Sequence, residues 1–210
     1  MRRIHGFVAG IVGVTGLVLA APASAQQFLE TDLPNNGLSA AGVGIFLDLT
    51  SINDPLAFTG LQYYASSTAG ANLTLEVWIK NGTYVGFDQN QAAWTLHETL
   101  SGTSNGTGTL TDLISFNNPV NIGAGETVGI YLIAQAGGIR YTGATGAQPF
   151  WSDNNIELFS DLARNAPWGG TAFTPRVYAG RIWYDIIPAP GAIALLGLAG
   201  VCGVSRRRRA

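Results

Sequence analysis

Between Gln26 and Ile187 no stretch of apolar residues keeps a helical period for more than two turns. Short β-branched and aromatic runs recur instead, separated by Gly, Asn, Asp and Pro, which is how strands and turns are written in a sequence. This body of about 160 residues carries 20 glycines and 20 aromatic residues. We read strands over residues 44–50, 56–64, 72–80, 83–86, 93–100, 108–114, 120–122, 127–134, 139–142, 156–160 and 177–185. Short strands at this spacing predict an all-β fold, a two-sheet antiparallel β-sandwich of jelly-roll type.

Alternation within the runs sharpens that reading. In Thr74 to Lys80, the residues Leu75, Val77 and Ile79 share one face and Thr74, Glu76, Trp78 and Lys80 the other, so one side is core and one is wet. Val128 to Ala134 is apolar at nearly every position, as a central strand covered on both faces requires. Asn81-Gly82 is the strongest hairpin signal, since both residue types take the positive φ of a type I′ turn. The glycine-rich run from Gly102 to Gly108 lacks the Lys that would reach a phosphate and reads as a second hairpin loop.

Charge separates the chain into three parts. All 13 acidic residues lie between Glu30 and Asp185, but only five of the 11 basic ones do, which leaves this stretch with a net charge of −8. Nucleic acid is thereby excluded as an expected partner, because phosphate backbones need clustered cations. The single cysteine, Cys202, lies near the C-terminus, so the body has neither an internal disulfide nor a cysteine-based zinc site. Its one histidine is His97.

The two ends read as sorting signals. Arg2 and Arg3 precede an uncharged, mostly apolar run from Gly6 to Ala21, and Ala23-Ser24-Ala25 has the small-x-small pattern of a signal-peptidase site, which places cleavage before Gln26 and makes residues 1–25 a signal helix. Four glycines in the run weaken the alternative, a buried N-terminal helix. At the other end, Ile186 to Ser205 is twenty residues without a charge, long enough at about 1.5 Å per residue to cross a hydrocarbon core of roughly 30 Å. Arg206, Arg207, Arg208 and Arg209 follow, and the positive-inside rule keeps such a cluster cytoplasmic. The domains expected are therefore the signal peptide 1–25, a sandwich over 26–185, and a sorting tail over 186–210.

The tail resembles the PEP-CTERM sorting signal of Gram-negative bacteria. Pro188-Ala189-Pro190 stands where that family has Pro-Glu-Pro, a Leu, Gly and Ala-rich segment over about 191–205 stands where it has a transmembrane helix, and the arginine cluster closes the chain. The resemblance implies processing by an exosortase-type enzyme, tethering in the inner membrane beforehand, and delivery of the body to the cell surface or extracellular matrix. A permanent single-span anchor is the alternative. The body is also similar to an exported bacterial β-sandwich module. The matching residues are Trp78 to Gly82, Gly86-Phe87-Asp88, Ala124 to Leu132, and Arg176 to Tyr184. That similarity implies the fold and no activity.

Candidate chemistry within the body is thin, and we expect no enzyme. Glu76, Glu98, Glu126 and Glu157 are acidic candidates for a glycan hydrolase by residue type, yet Glu76 falls on a wet face and Glu126 in a turn. His97 and Glu98 are strand neighbours, which point to opposite faces. No Gly-x-Ser-x-Gly elbow occurs. Binding is better supported. Trp151 with Asp153 and Asn154, and Trp168 beside two glycines, place indoles in polar loops where a ring can stack on a sugar while Asp and Asn take its hydroxyls. The same tryptophans can instead cover sheet faces or plug the sandwich ends. Asp153-Asn154-Asn155 and Asn53-Asp54 offer oxygen ligands to Ca²⁺, without the spaced set of a complete calcium loop. No cofactor is expected otherwise. The function expected is that of an exported structural or adhesive protein of the envelope or matrix, with a carbohydrate-binding module as the alternative.

Overall fold

The computed structural model describes residues 26–31, 43–143 and 149–188. The expected signal segment with Ala23 and Ala25, and the tail from Ala189 through Pro190 to Arg206, Arg207, Arg208 and Arg209, lie outside the described residues. Gln26 and Pro188 are described, and both are exposed.

The body is an all-β antiparallel sandwich. Its first strands are β1 (Gln27–Glu30), β2 (Val43–Ser51), β3 (Leu56–Tyr63), β4 (Asn72–Asn81), β5 (Thr95–Thr103) and β6 (Ile114–Ile122). Then come β7 (Thr127–Ala136), β8 (Tyr141–Thr142), β9 (Phe150–Ser152), β10 (Ile156–Ala166), β11 (Gly169–Phe173), β12 (Val177–Tyr178) and β13 (Gly180–Ile186). One sheet runs β1-β13-β3-β6 and the other β11-β10-β2-β7-β4-β5, with β9 on β10 and a separate β8-β12 pair. Among the described residues no helix is long and apolar enough to cross a membrane.

The core between the sheets follows from alternation. Ile45, Leu47 and Leu49 of β2, Leu73, Leu75 and Val77 of β4, and Ile130, Leu132 and Ala134 of β7 meet Leu56, Phe58, Leu61 and Tyr63 of β3 and Ile182 and Tyr184 of β13. Burying each large aliphatic side chain here stabilises the fold by about 1.5–3 kcal/mol.

β7 has no wet face. Its outward residues Tyr131 and Ile133 join Phe46, Tyr84 and Trp94 in a second buried cluster, with Trp78, Phe159, Leu162 and Trp168 packed against it. Two pieces of chain cover that face. One is the 82–94 segment between β4 and β5, which includes a 3₁₀ turn at Gln91–Ala93. The other is the Pro167-Trp168 turn between β10 and β11, where Trp168 has φ +57°. That position after a proline ordinarily takes Gly or Asn, and a left-handed residue with a side chain costs about 1 kcal/mol. Trp168 offsets the strain through edge-on contacts with Tyr131 at 4.9 Å and Trp78 at 5.1 Å, and a tilted one with Trp94 at 5.7 Å.

Several strand expectations are corrected. Residues 83–86 are not a strand, and Asn81-Gly82 is not a hairpin. Asn81 ends β4, and Gly82, at φ +75°, donates to the Thr127 carbonyl at 2.9 Å and accepts from Gly129 N–H at 2.8 Å. A Cβ on Gly129 would stand 2.9 Å from the Gly82 oxygen, so the crossing needs glycine. Residues 108–113 form a loop, and β6 runs from Ile114 to Ile122 on a sheet edge, with Pro119 inside a stretch where the register with β3 shifts between Ser115 and Val120, so a missing N–H is tolerated there. The Gly102–Gly108 run is not a hairpin loop either, since it leads from β5 in one sheet to β6 in the other. The last expected strand breaks at Ala179, and β12 and β13 belong to different sheets.

His97 is the extra residue of a β-bulge opposite Val77 and Trp78, and both it and Glu98 reach β6 rather than opposite faces. His97 Nε2 donates to the Asn118 carbonyl at 2.6 Å, and the Glu98 carboxylate accepts from the backbone and side-chain amides of Asn117. These contacts tie together two edge strands, one from each sheet.

Trp168→Ala should lower stability by about 3 kcal/mol or more, as large-to-small truncation in a packed cluster does, read as a lower urea midpoint with unchanged slope.

Candidate functional site

The outer face of the large sheet holds a groove of about 520 Å³ beside the covered cluster. Two cross-strand rows form its floor. Phe150, Phe159 and Asp48 lie opposite one another across β9, β10 and β2, and Ser152, Glu157, Thr50 and Thr127 make the next row, continuing onto β7. Side chains two apart on a strand share a face, so the rows stand side by side. Gly82 and Thr83 form one wall.

The aromatic end is open. Phe150 is 66% exposed and its ring lies 4.7 Å from that of Phe159. Phe159 in turn stacks on Tyr84 at 5.7 Å, so the exposed ring is backed by the buried cluster. Beside it, the hydroxyls of Thr50 and Thr127 are 2.8 Å apart, and Glu157 is exposed. A flat ring next to hydroxyls and a carboxylate can stack a sugar and hydrogen-bond its edge.

Asp48 is buried and committed to the chain. Its Oδ2 accepts from the Thr83 hydroxyl at 2.5 Å and its Oδ1 from the Tyr84 N–H at 2.8 Å, which pins the start of the 82–94 segment. Burial raises its carboxyl above the ordinary Asp range, against the lowering effects of those two bonds and of Lys80. Asp88 fastens the same segment further on through an ion pair with the buried Arg164, whose Nη1 also donates to the Gly170 carbonyl at 2.8 Å. Lys80 donates to the carbonyls of Asn81 and Thr83 and sits 4.2 Å over the Phe87 ring. Trp78, Gly82, Phe87 and Asp88 of the body motif therefore build this cover.

The sequence-predicted contact residues do not come together here. Trp151 lies opposite Leu158 and packs against the core between the sheets, and its Nε1 has no hydrogen-bond partner among the described residues. Trp168 belongs to the separate outer cluster. Asp153 caps its own turn, Oδ1 accepting from the N–H groups of Asn155 and Ile156 and Oδ2 from the Tyr184 hydroxyl at 2.6 Å. Asn154 is exposed, and its carbonyl accepts from Asn53 Nδ2 at 3.4 Å, so the two segments considered for Ca²⁺ are neighbours. Among the described residues no three His, Cys, Asp or Glu side chains group as metal ligands. Of the acidic candidates, Glu76 accepts from Trp78 Nε1 at 2.8 Å, Glu126 accepts from the Gly123 N–H at 3.2 Å, and only Glu157 lines the main groove. No strand is read from sequence between residues 142 and 156, so Phe150, on the short strand β9 that pairs with β10, is not among the predicted contacts.

No family model matches the chain, and no curated protein matches it. Among solved structures, a mutant VP2 protein of infectious bursal disease virus in derived T=1 particles is similar over 87% of this chain, at 15% identity and a TM-score of 0.25. The chain spans 46% of that protein's length. A likeness this slight carries no functional argument.

Burial pushes the phenols of Tyr63 and Tyr184 up to about 12 and raises those of Tyr84, Tyr131 and Tyr178 as well. A folded-state value above the unfolded value of about 10 gives stability that is complete below about pH 10 and is lost as pH rises through about 12. Phenolate absorbance from these residues should therefore rise together with loss of the far-ultraviolet β signal in alkali.

Proposed function

We propose that this protein is an exported adhesive component of the cell envelope or extracellular matrix that holds polysaccharide in the outer-face groove without cleaving it. The observation that carries the reading is the exposed Phe150 ring, backed by Phe159 and set beside Glu157, Thr50 and Thr127. Hydrolysis would need two carboxylates free to act on one bond, and Asp48, the other carboxylate lining that groove, accepts from Thr83 and from the Tyr84 N–H.

The strand orders support a jelly roll. β1-β13-β3-β6 faces β2-β7-β4-β5, the two four-stranded halves of that architecture, and β8 to β12 are an insertion before the last strand that widens one sheet. Export rests on the sequence ends: signal peptidase removes residues 1–25 before Gln26, and an exosortase-type enzyme acts on the membrane-tethered precursor near Pro188-Ala189-Pro190. The proline pair keeps the chain extended there, where a peptidase can engage it. The exposed position of Pro188 suits such access.

Two measurements test the reading. Phe150→Ala should weaken binding to immobilised polysaccharide about tenfold with little change in melting temperature, as loss of stacking from a preformed surface would. Unchanged retention, or unfolding, counts against the groove. Mass spectrometry of the exported form should lack Arg206 to Arg209, and an intact tail in purified envelope would favour a permanent anchor.

A further inference from the structure

Resting on the glycan-binding reading above, we propose that the groove selects polysaccharides bearing protonated amino sugars. The groove continues into a second hollow of about 350 Å³ that shares Gly82 and Thr127 with it and adds Asn81, Asn121 and Glu126. Across both hollows the lining includes three carboxylates, Asp48, Glu126 and Glu157, and neither Lys nor Arg. The nearest cation, Lys80, is held by two backbone carbonyls and the Phe87 ring. Neither Glu157 nor Glu126 enters an ion pair among the described residues.

Charge complementarity decides the occupant. A sugar stacked on Phe150 would bring its edge to the neighbouring row, about 7 Å along the strand, where Glu157 stands. A neutral sugar there offers Glu157 a hydroxyl hydrogen bond but no opposite charge. An ammonium group supplies the partner and also gains from the face of the phenylalanine ring. Anionic polysaccharides meet a body with a net charge of −8 and are repelled. Two carboxylates in adjoining hollows suit a chain with charge on successive residues more than a single sugar.

Calorimetric titration of the full chain with the hexasaccharides of glucosamine, N-acetylglucosamine and glucose tests this. We expect the glucosamine hexamer to bind about tenfold more tightly than the other two and to weaken with added salt. Glu157→Gln should reduce its affinity about three- to fivefold and flatten its salt dependence, a larger loss than the same change causes for the glucose hexamer. Equal binding of the three, or an unaltered Glu157→Gln variant, overturns the selectivity while leaving the groove reading in place. Failure of every hexasaccharide to bind removes the groove reading itself. Equal affinity for hexalysine also overturns the proposal, since it would mark a surface for polycations of any kind.

Discussion

The large sheet cannot be left open on its outer side, and most of the body follows from that. β7 runs through its middle with apolar side chains facing both ways, so Tyr131 and Ile133 need cover as much as Leu132 does. The chain provides it with irregular segments, which bring backbone polar groups into a partly dry place and so need fixed partners. Asp48 and Arg164, a carboxylate and a guanidinium on neighbouring strands, take that part. Gly129 lets the covering chain come close enough to share hydrogen bonds with β7. Where the cover ends, Phe150 and Phe159 emerge, and the groove lies at that margin.

Legibility in the sequence followed the range of the interactions. Leu75, Val77 and the Val128 to Ala134 run were readable because their pattern reports burial directly. Asn81-Gly82 misled because it is a local signal overruled at a distance: Gly82 takes its positive φ, but its N–H and C=O both go to β7 and Tyr84 finds a ring cluster instead of a return strand. The strand read over 120–122 begins at Ile114 instead, because an irregular stretch of an edge strand accommodates Pro119 within it.

The candidate site was less legible. Trp151 and Trp168 look alike in sequence, each an indole in a polar loop, yet one plugs the space between sheets and the other closes the outer cluster. What made Phe150 a surface ring was its place one residue before Trp151 on a short strand, so that the inward turn of one fixed the outward turn of the other. Glu157, Thr50 and Thr127 are ordinary surface residues until strand register places them in one row.

The link between β5 and β6 bears on behaviour at high concentration. Fibril growth starts from a bare strand edge that presents a row of free N–H and C=O groups to another molecule. Along β6 the row is interrupted three times in succession: the Asn117 N–H is given to Glu98, the Asn118 carbonyl to His97, and Pro119 has no N–H to offer. Crowded copies therefore meet a poor template on this flank, and molecules packed in a layer can stay separate folded units rather than fuse strand to strand.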